Sequence, residues 1–316
     1  MRKITIVGQM ISKNYKFLCP LLSCCESNKI RRFLSNENRS GPIKMSYKEF
    51  GESHTTSDVP IVIMHGLFGS KMNWNYVSKE IHTALQRKVF TVDARNHGDS
   101  PHTPDHSYLL LAQDLKAFLQ ERNIDKAVLI GHSMGGRAVM YFTLTNPHLV
   151  DRLVVCDISP VGTGRGFQEM NDIIQAIRDV NLNELANLKN ISQARMRAEK
   201  LITEKLKLDR RIANYLVTNL REDGSGGYSW RVNLDAIHKN YDPHITVFPL
   251  PENAHYDGQT LFVVGKQGDF VKPEEHDEIR RIFPKVKFLE LDAGHWVHAD
   301  KPQEFIAGVC DFLKSS

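Results

Sequence analysis

The sequence of 316 residues contains no uninterrupted apolar run that approaches the ~20 residues of a membrane-spanning helix. Cysteine is scarce, and three of the five, Cys19, Cys24 and Cys25, lie near the amino terminus. Their number and spacing indicate neither a disulfide framework nor a set of zinc ligands. Cys156 and Cys310 lie inside apolar runs and are predicted to be buried free thiols. The body of the chain is therefore expected to be an ordinary soluble globular domain.

Acidic residues are nearly absent from the amino-terminal segment. The first 34 residues hold seven Lys or Arg and one acid, so they carry a charge of +6, and the remainder carries −2. A slightly negative body gives no support to nucleic-acid binding, which needs a basic face on the folded domain. Residues 1–44 have the composition of a mitochondrial transit peptide with a disordered leader, ahead of a folded domain over 45–316. A mitochondrial location, with the matrix preferred, is expected; a secretory signal or a merely disordered tail is the alternative.

Short apolar runs alternate with helical patterns from Met45 onward, which favours a mostly parallel sheet with helices on both faces. Runs rich in β-branched residues predict buried strands over residues 59–66, 88–96, 126–133, 152–159, 260–266 and 286–295. Helical spacing is found over residues 109–122, 135–146, 274–283 and 302–313. A short edge hairpin is expected near residues 45–53.

Residues 161–250 break this alternation. They carry the helical period of Phe167, Met170, Ile173 and Ile177 but no convincing strand, so an inserted helical cap is predicted. Within the cap a basic stretch could lie on a lipid surface as an amphipathic helix. Interspersed acidic residues favour a solvated helix face instead, and peripheral membrane contact is the alternative.

The stretch VLIGHSMGGRAVM places Ser133 between two glycines, where a predicted strand meets a predicted helix. A strand that reverses sharply into a helix holds the serine in a strained conformation, and Gly131 and Gly135 leave the space that side chains would fill. The hydroxyl then projects above the carboxyl edge of the sheet, where ligands of open α/β sheets bind. Ser133 is therefore predicted to be a nucleophile, with a plain turn as the alternative.

A serine attacks only when a nearby base accepts its proton, and histidine is suited to that role. Among fourteen histidines, His295 fits best, because it follows a predicted strand close to the carboxyl terminus. His298 is its nearest competitor. His132 adjoins the nucleophile, but its side chain is expected to point elsewhere.

Two glycine-containing motifs follow earlier strands. HGLFGS begins at His65, and its backbone can approach a substrate closely. The N–H of Leu67, or less favourably that of Phe68, is expected to join the N–H of Met134 in an oxyanion hole. DARNHGDS, residues 93–100, is interpreted as a structural turn.

Taken together, HGLFGS, DARNHGDS, GHSMGG, DISP, WRVNLDA and AGHWVHAD resemble the α/β-hydrolase domain-containing protein 11 branch of the α/β-hydrolase fold. The resemblance runs from about Met45 to the end. It implies a mitochondrial serine hydrolase with esterase or lipase activity, including action on diacylglycerol, and no metal or organic cofactor. Phe68 and Trp296, with the apolar cap, suggest a lipid-like ester substrate. Association with a mitochondrial enzyme complex is a further hypothesis, and a non-catalytic binding or chaperone-like protein is the alternative.

The resemblance leaves the acid of the triad open among three aspartates. In similar esterases the acid matches Asp157 in DISP, whereas family members also suggest Asp235 in WRVNLDA. The fold's usual position corresponds to Asp269 in GKQGDFV. Asp157 is favoured because it ends a strand beside the strand of the nucleophile. A helix or turn cap is the alternative role for each.

Removal of the leader near RRFLS, residues 31–35, is the expected consequence of a transit peptide. The mature protein recovered from mitochondria should then begin in or just after this segment, as amino-terminal sequencing would reveal. A mature protein that starts at Met1 would contradict the transit-peptide interpretation.

Overall fold

The computed structural model describes residues 40–51, 59–162 and 166–315, so the predicted leader lies almost entirely outside the described residues. The chain from Gly41 to Ser316 forms one compact unit. This unit begins a few residues before the predicted boundary. The N–H of Ile43 donates to the Asp114 carboxylate at 2.8 Å, and the Met45 side chain is buried in the core.

Nine strands occur in the part of the chain that the structure describes. In chain order they are β1 (Tyr47–Phe50), β2 (Ile61–Met64), β3 (Val89–Val92), β4 (Ala127–His132), β5 (Val150–Cys156), β6 (Leu220–Glu222), β7 (Tyr228–Trp230), β8 (Gln259–Gly265) and β9 (Val286–Leu291). Seven form one sheet in the spatial order β1-β3-β2-β4-β5-β8-β9, and each neighbouring pair is parallel except β1 with β3. The six predicted strands are confirmed as members of this sheet, but β9 lies at its edge and is only partly buried. The second arm of the predicted edge hairpin falls on residues outside the described ranges.

Helices cover both faces of the sheet, as predicted. The α-helices of the described residues are α1 (Asn75–Leu85), α2 (Tyr108–Glu121), α3 (Met134–Thr145), α4 (Gly166–Arg178), α5 (Leu182–Leu185), α6 (Ile191–Leu206), α7 (Arg210–Val217), α8 (Leu234–Asn240), α9 (His276–Ile282), α10 (Val297–Asp300) and α11 (Pro302–Lys314). Among them, none combines the length and the apolarity needed to cross a membrane. The four predicted helices are confirmed as α2, α3, α9 and α11, whereas α1 was not predicted.

The inner strands β2, β3, β4, β5 and β8 are buried on both sides, which explains why they are apolar at consecutive positions, whereas the edge strands β1 and β9 carry exposed charged residues. Ile61 and Ile63 of β2 pack in a cluster with α1 and α11, while Val62 and Met64 pack with α2, α3 and α9. Cys156 at the end of β5 is buried, as is Cys310 of α11, and both are free thiols as predicted.

The segment between β5 and β8 holds the predicted cap, with helices α4 to α8 around an apolar cluster of its own. The expectation that the cap contains no strand is wrong, because β6 and β7 pair in antiparallel fashion. Asp223 and the glycines at 224, 226 and 227 connect them. Gly224 and Gly226 adopt φ values of 80° and 90°, and Asp223 accepts hydrogen bonds from the Ser225 and Gly227 N–H groups. This turn chemistry is a hairpin signal that the short strands obscured.

Arg137 of α3 ties both ends of the cap to the helix that follows the nucleophile. The guanidinium donates to the carbonyl oxygens of Ser159 at 3.2 Å and Gly162 at 2.6 Å, where the chain enters the cap. It also donates to the carbonyl of Thr246 at 2.8 Å, near the end of the cap. Since Arg137 is buried, these bonds fix where the cap leaves and rejoins the core.

Residues 93–100 form the structural turn that DARNHGDS predicts. The Asp93 carboxylate accepts hydrogen bonds from the Lys71 N–H at 2.6 Å and the Asp99 N–H at 2.9 Å. Arg95 of the same turn donates two hydrogen bonds of 2.7 Å to Asp114 of α2, and both side chains are fully buried. The turn is thereby fixed to the sheet and to α2.

Replacement of Asp114 by Ala should destabilise the protein strongly. The change leaves the buried Arg95 guanidinium without its carboxylate, a loss that costs about 3–5 kcal/mol when a buried ion pair loses one partner. Urea unfolding measures the effect. Glu121→Ala is the control, because Glu121 lies on the same helix and pairs with Lys44 at the surface, where such pairs contribute little. Equal shifts of the urea midpoint in both variants would contradict this account.

Candidate active site

Ser133 sits on the turn between β4 and α3 with φ 53° and ψ −118°. A positive φ is strained for a residue with a β-carbon, so the surrounding structure must hold it. Its N–H donates to the Cys156 carbonyl at 3.1 Å, and its carbonyl accepts from the Arg137 N–H at 3.0 Å. The predicted sharp reversal from strand to helix is therefore present, with Ser133 at its tip.

The two flanking glycines are required by close backbone contacts. A β-carbon on Gly131 would lie 2.3 Å from the carbonyl oxygen of Gly135, and one on Gly135 would lie 2.3 Å from the carbonyl oxygen of Met64. Neither position can carry a side chain without moving the backbone. The space predicted for Gly131 and Gly135 is confirmed, and α3 starts directly against the end of β2.

Asp157 and His295 meet at the carboxyl edge of the sheet. One carboxylate oxygen of Asp157, Oδ2, lies 2.8 Å from His295 Nδ1, and the other, Oδ1, accepts from the Gly265 N–H at 2.9 Å. Asp157 is fully buried, while 17% of the His295 side chain is exposed. Because the carboxylate accepts, the proton resides on Nδ1, and Nε2 is left as the acceptor that a serine needs.

Asp235, the second predicted acid, does not approach the histidine. It lies in α8 with 86% of its side chain exposed, and it accepts a hydrogen bond from Arg178 at 2.9 Å. Together with His102 and Trp230 it lines a separate polar pocket of about 450 Å³. The alternative that paired Asp235 with His295 is thus corrected. The likeness of WRVNLDA to the motif of its family could not show that α8 lines a pocket other than the cavity beside His295.

Asp269, the third predicted acid, lies near Asp157 and His295, but the carboxylate bonded to His295 Nδ1 is that of Asp157. It is half-buried in the turn after β8. The neighbouring Phe270 ring stacks on His295 with centroids 3.7 Å apart and planes 22° from parallel. The aspartate bonded to His295 Nδ1 is Asp157, so this turn contributes the aromatic face that limits rotation of the imidazole.

The two competing histidines have other partners. His132 donates from Nε2 to the His295 carbonyl at 2.8 Å, so it points at the backbone of the histidine loop. Burial, together with His295 and His298, holds the pKa of His132 well below its usual value. His298 stacks on Trp74 with ring centroids 4.0 Å apart, and burial lowers its pKa to about 3. Neither histidine is bonded to Asp157.

The HGLFGS motif folds into a tight turn beside the nucleophile. The Gly69 N–H donates to the Gly66 carbonyl at 2.9 Å, and Phe68 adopts φ 60°. A β-carbon on Gly66 would lie 3.1 Å from the β-carbon of Ser133. We call residues 66–69 the oxyanion turn, since its position next to Ser133 is the one expected of the second oxyanion donor.

His65 is a residue of the site whose role the sequence analysis missed. Its Nδ1 donates to the Gly66 carbonyl at 2.7 Å, and its Nε2 accepts from the Ala94 N–H at 3.1 Å. Burial lowers the pKa of His65, which keeps the ring neutral and both nitrogens in these roles. The only signal was the histidine that precedes the glycine in HGLFGS.

The site presents unused backbone donors. Hydrogen bonds between the described backbone groups use none of the N–H groups of Leu67, Phe68 and Met134. Met134 is the first residue of the twelve-residue helix α3, whose amino-terminal dipole favours negative charge. These donors suit an oxyanion. The described residues contain no group of three ligating side chains that could hold a metal ion.

A cavity of about 400 Å³ opens beside His295. Its lining includes the apolar side chains of Ile212, Tyr215 and Trp296, together with Arg211. This volume is within the range of small-molecule sites. Because Ile212 and Tyr215 belong to α7, the cap supplies one wall of the cavity.

Comparison with known proteins shows the family to which the chain belongs. Residues 59–302 match the family model of the alpha/beta hydrolase fold. The chain is 44% identical over 273 residues to the sn-1-specific diacylglycerol lipase ABHD11 of Mus musculus, with 86% of each chain covered. It is 31% identical to Esterase YbfF of Escherichia coli, covering 86% of this chain and 99% of the esterase. A solved marine microorganism esterase superposes with a TM-score of 0.78 at 31% identity, covering 85% and 99% of the two chains.

Replacement of Asp157 by Asn should lower kcat by about 10⁴-fold on a chromogenic ester, because an amide no longer fixes the imidazole in the required tautomer. Asp235→Asn serves as the control and should retain wild-type kcat, since Asp235 pairs with Arg178 at the surface. Steady-state kinetics of both variants decide between the two aspartates. A comparable loss in Asp235→Asn would refute the assignment.

Proposed function

The chain belongs to the α/β-hydrolase fold family and, within it, to the family of the ABHD11 lipases, and on that premise we propose that it cleaves lipid esters, diacylglycerols above all, through an acyl-enzyme on Ser133. The observation that carries the proposal is the 2.8 Å hydrogen bond between His295 and the buried Asp157. It orients an imidazole at the edge of the sheet that also carries the strained Ser133.

Acylation begins when the Ser133 hydroxyl attacks the ester carbonyl and His295 Nε2 takes its proton. The carbonyl oxygen gains negative charge, which the N–H groups of Met134 and Leu67 stabilise from fixed positions. Asp157 keeps the proton on Nδ1 and stabilises the imidazolium. His295 then returns its proton to the departing alcohol, and the acyl group stays on Ser133.

Deacylation repeats these steps with water as the nucleophile. His295 removes a proton from the water, the oxyanion forms again at the same backbone donors, and the carboxylic acid leaves. The serine recovers its proton from His295. Each step requires only the chain's own side chains and backbone groups.

Two observations support a lipid ester as the substrate. The mouse relative is named a diacylglycerol lipase and is 44% identical over most of this chain. The cavity beside His295 is walled in part by Ile212, Tyr215 and Trp296, whose apolar surface suits an acyl chain, while Asp209, Arg211 and Asp300 line its polar part.

A non-catalytic binding or chaperone-like role is not favoured. Binding alone does not need a serine held at φ 53° or an imidazole fixed by a buried carboxylate. Such strain is characteristic of sites where a reactive group must be aimed. The combination at Ser133 and Asp157 therefore supports turnover.

We also propose that the enzyme resides in the mitochondrial matrix and contacts a membrane surface peripherally. The support for the location is the basic, acid-poor composition of the leader. For membrane contact, α6 exposes 63% of Met196 and also exposes the neighbouring basic Arg197. Association with a mitochondrial enzyme complex stays a hypothesis.

The proposal predicts hydrolysis of diacylglycerols in a panel that also contains short esters and thioesters, with activity abolished by Ser133→Ala. A serine-reactive phosphonate should label the wild-type protein at Ser133 and leave the variant unlabelled. Product release and mass spectrometry of the labelled peptide measure the two effects. If the folded wild-type protein is neither labelled nor active on any ester, the binding role replaces the catalytic one.

A further inference from the structure

The cap reaches the oxyanion turn through two hydrogen bonds. The hydroxyl of Tyr215, in α7, donates to the Leu67 carbonyl at 3.2 Å. The side-chain amide of Asn219, just after α7, donates to the Phe68 carbonyl at 2.8 Å. Asn219 is 5% exposed, so its bond is protected from water. Two successive carbonyl groups of the turn are thus held by the cap.

Each of these bonds fixes a donor as well as an acceptor. A peptide group is planar and trans, so its C=O and the following N–H point in opposite directions. Holding the Leu67 carbonyl toward the cap therefore points the Phe68 N–H away from it. The direction of the Phe68 N–H matters here. If the Leu67–Phe68 peptide rotated, the Leu67 carbonyl oxygen would lie where the Phe68 N–H now lies.

The turn needs such external support. Phe68 adopts φ 60°, which disfavours a residue with a β-carbon. Its ring is 3% exposed and packs in the apolar cluster of the cap with Ile174, Leu216 and Ile237. The backbone of the oxyanion turn is part of the core, whereas the Phe68 side chain packs among the apolar side chains of the cap.

The first peptide of the turn is held differently. The Gly66 carbonyl accepts from His65 Nδ1 at 2.7 Å and from the Gly69 N–H at 2.9 Å, and all three residues lie in the core. The Leu67 N–H belongs to this peptide, and the carbonyl of the same residue is held by Tyr215 of the cap, so the donor residue is fixed from both sides. The cap therefore holds the second peptide of the turn through Tyr215 and shares the third with the core, because Asn219 binds the Phe68 carbonyl while the Gly69 N–H binds Gly66.

Tyr215 also touches the other side of the site. Its ring lies 5.4 Å from that of Trp296 in an edge contact, and Trp296 follows His295 directly. Burial raises the pKa of the Tyr215 phenol, so its hydroxyl stays protonated and can donate at all working pH values. One cap residue thus bridges the oxyanion turn and the histidine loop.

We infer that Tyr215 and Asn219 are positioning residues that align the oxyanion turn. Transition-state stabilisation at Ser133 then depends on the contact of α7 and Asn219 with this turn. The inference deepens the proposed hydrolase function and rests on it. When α7 and Asn219 are bound to the oxyanion turn, the turn presents its N–H groups to the forming oxyanion. Displacement of α7 breaks both bonds, which releases the second peptide and leaves the third held by the Gly69 N–H alone. The cap thereby acts on the rate of the chemical step and does more than enclose substrate.

The variants Tyr215→Phe and Asn219→Ala test this role, alone and combined. Each should lower kcat about tenfold and the pair about 100-fold, the scale expected when reacting groups are misplaced by about 1 Å. KM should change little, because the carbonyl oxygen of the ground-state ester interacts only weakly with the N–H groups of the turn. Tyr215→Phe removes a single oxygen atom and keeps the ring, so it preserves folding even if Asn219→Ala does not.

Two matched substitutions serve as controls. Tyr228 donates its hydroxyl to the Leu188 carbonyl at 3.3 Å, a similar bond that stays inside the cap. Asn240 donates to the Pro104 carbonyl at 3.0 Å and to its own helix, as Asn219 does, but away from the oxyanion turn. Tyr228→Phe and Asn240→Ala should keep wild-type kcat, with melting temperatures recorded for all four variants.

Inhibitor affinities separate positioning from general damage. A trifluoromethyl ketone forms a tetrahedral adduct with the serine, so its affinity should fall by the same factor as kcat in Tyr215→Phe. A non-hydrolysable ether analogue of the substrate should bind as tightly as it does to the wild type.

Three outcomes would overturn the inference while the wild type remains an active, phosphonate-labelled hydrolase. One is a kcat of Tyr215→Phe and of folded Asn219→Ala within twofold of wild type. The second is an equal loss of affinity for the ketone and the ether. The third is an equal loss of kcat in the Tyr228 and Asn240 controls. Failure of the proposed function is different, since the wild type itself would then show neither turnover nor labelling.

Discussion

The active site depends on one close approach of backbone to backbone, at the start of α3. Gly135 packs against the carbonyl oxygen of Met64 at the end of β2, and the Ser133 N–H donates to the Cys156 carbonyl at the end of β5. The turn after β4 is therefore held between its two neighbouring strands. Since the oxyanion turn follows β2 and Asp157 follows β5, this contact brings nucleophile, oxyanion donors and acid to one edge of the sheet.

Buried neutral histidines stabilise the arrangement around the catalytic one. His65 holds the first peptide of the oxyanion turn, and His132 fastens the backbone of the His295 loop to the nucleophile turn. Burial holds the pKa of each below the ordinary histidine value. A neutral imidazole donates from one nitrogen and accepts at the other, so each ring serves as an oriented connector between loops.

The cap takes part in the site although it lies outside the sheet. Arg137 anchors its two ends to α3, Phe68 inserts into its apolar cluster, and Tyr215 and Asn219 hold the oxyanion turn. These contacts couple substrate enclosure to the geometry of the reacting groups.

Local patterns in the sequence determined six strands of the sheet, four of its helices, the nucleophile turn and His295, because periodicity and glycine spacing act over a few residues. They missed α1, the β6–β7 hairpin and the role of His65, whose signals are short or depend on packing. Only the tertiary structure chose among the aspartates. Asp157 and His295 are 138 positions apart in the chain. Their contact arises because β5, β8 and β9 are adjacent and end at the same edge, a strand order that no local pattern encodes.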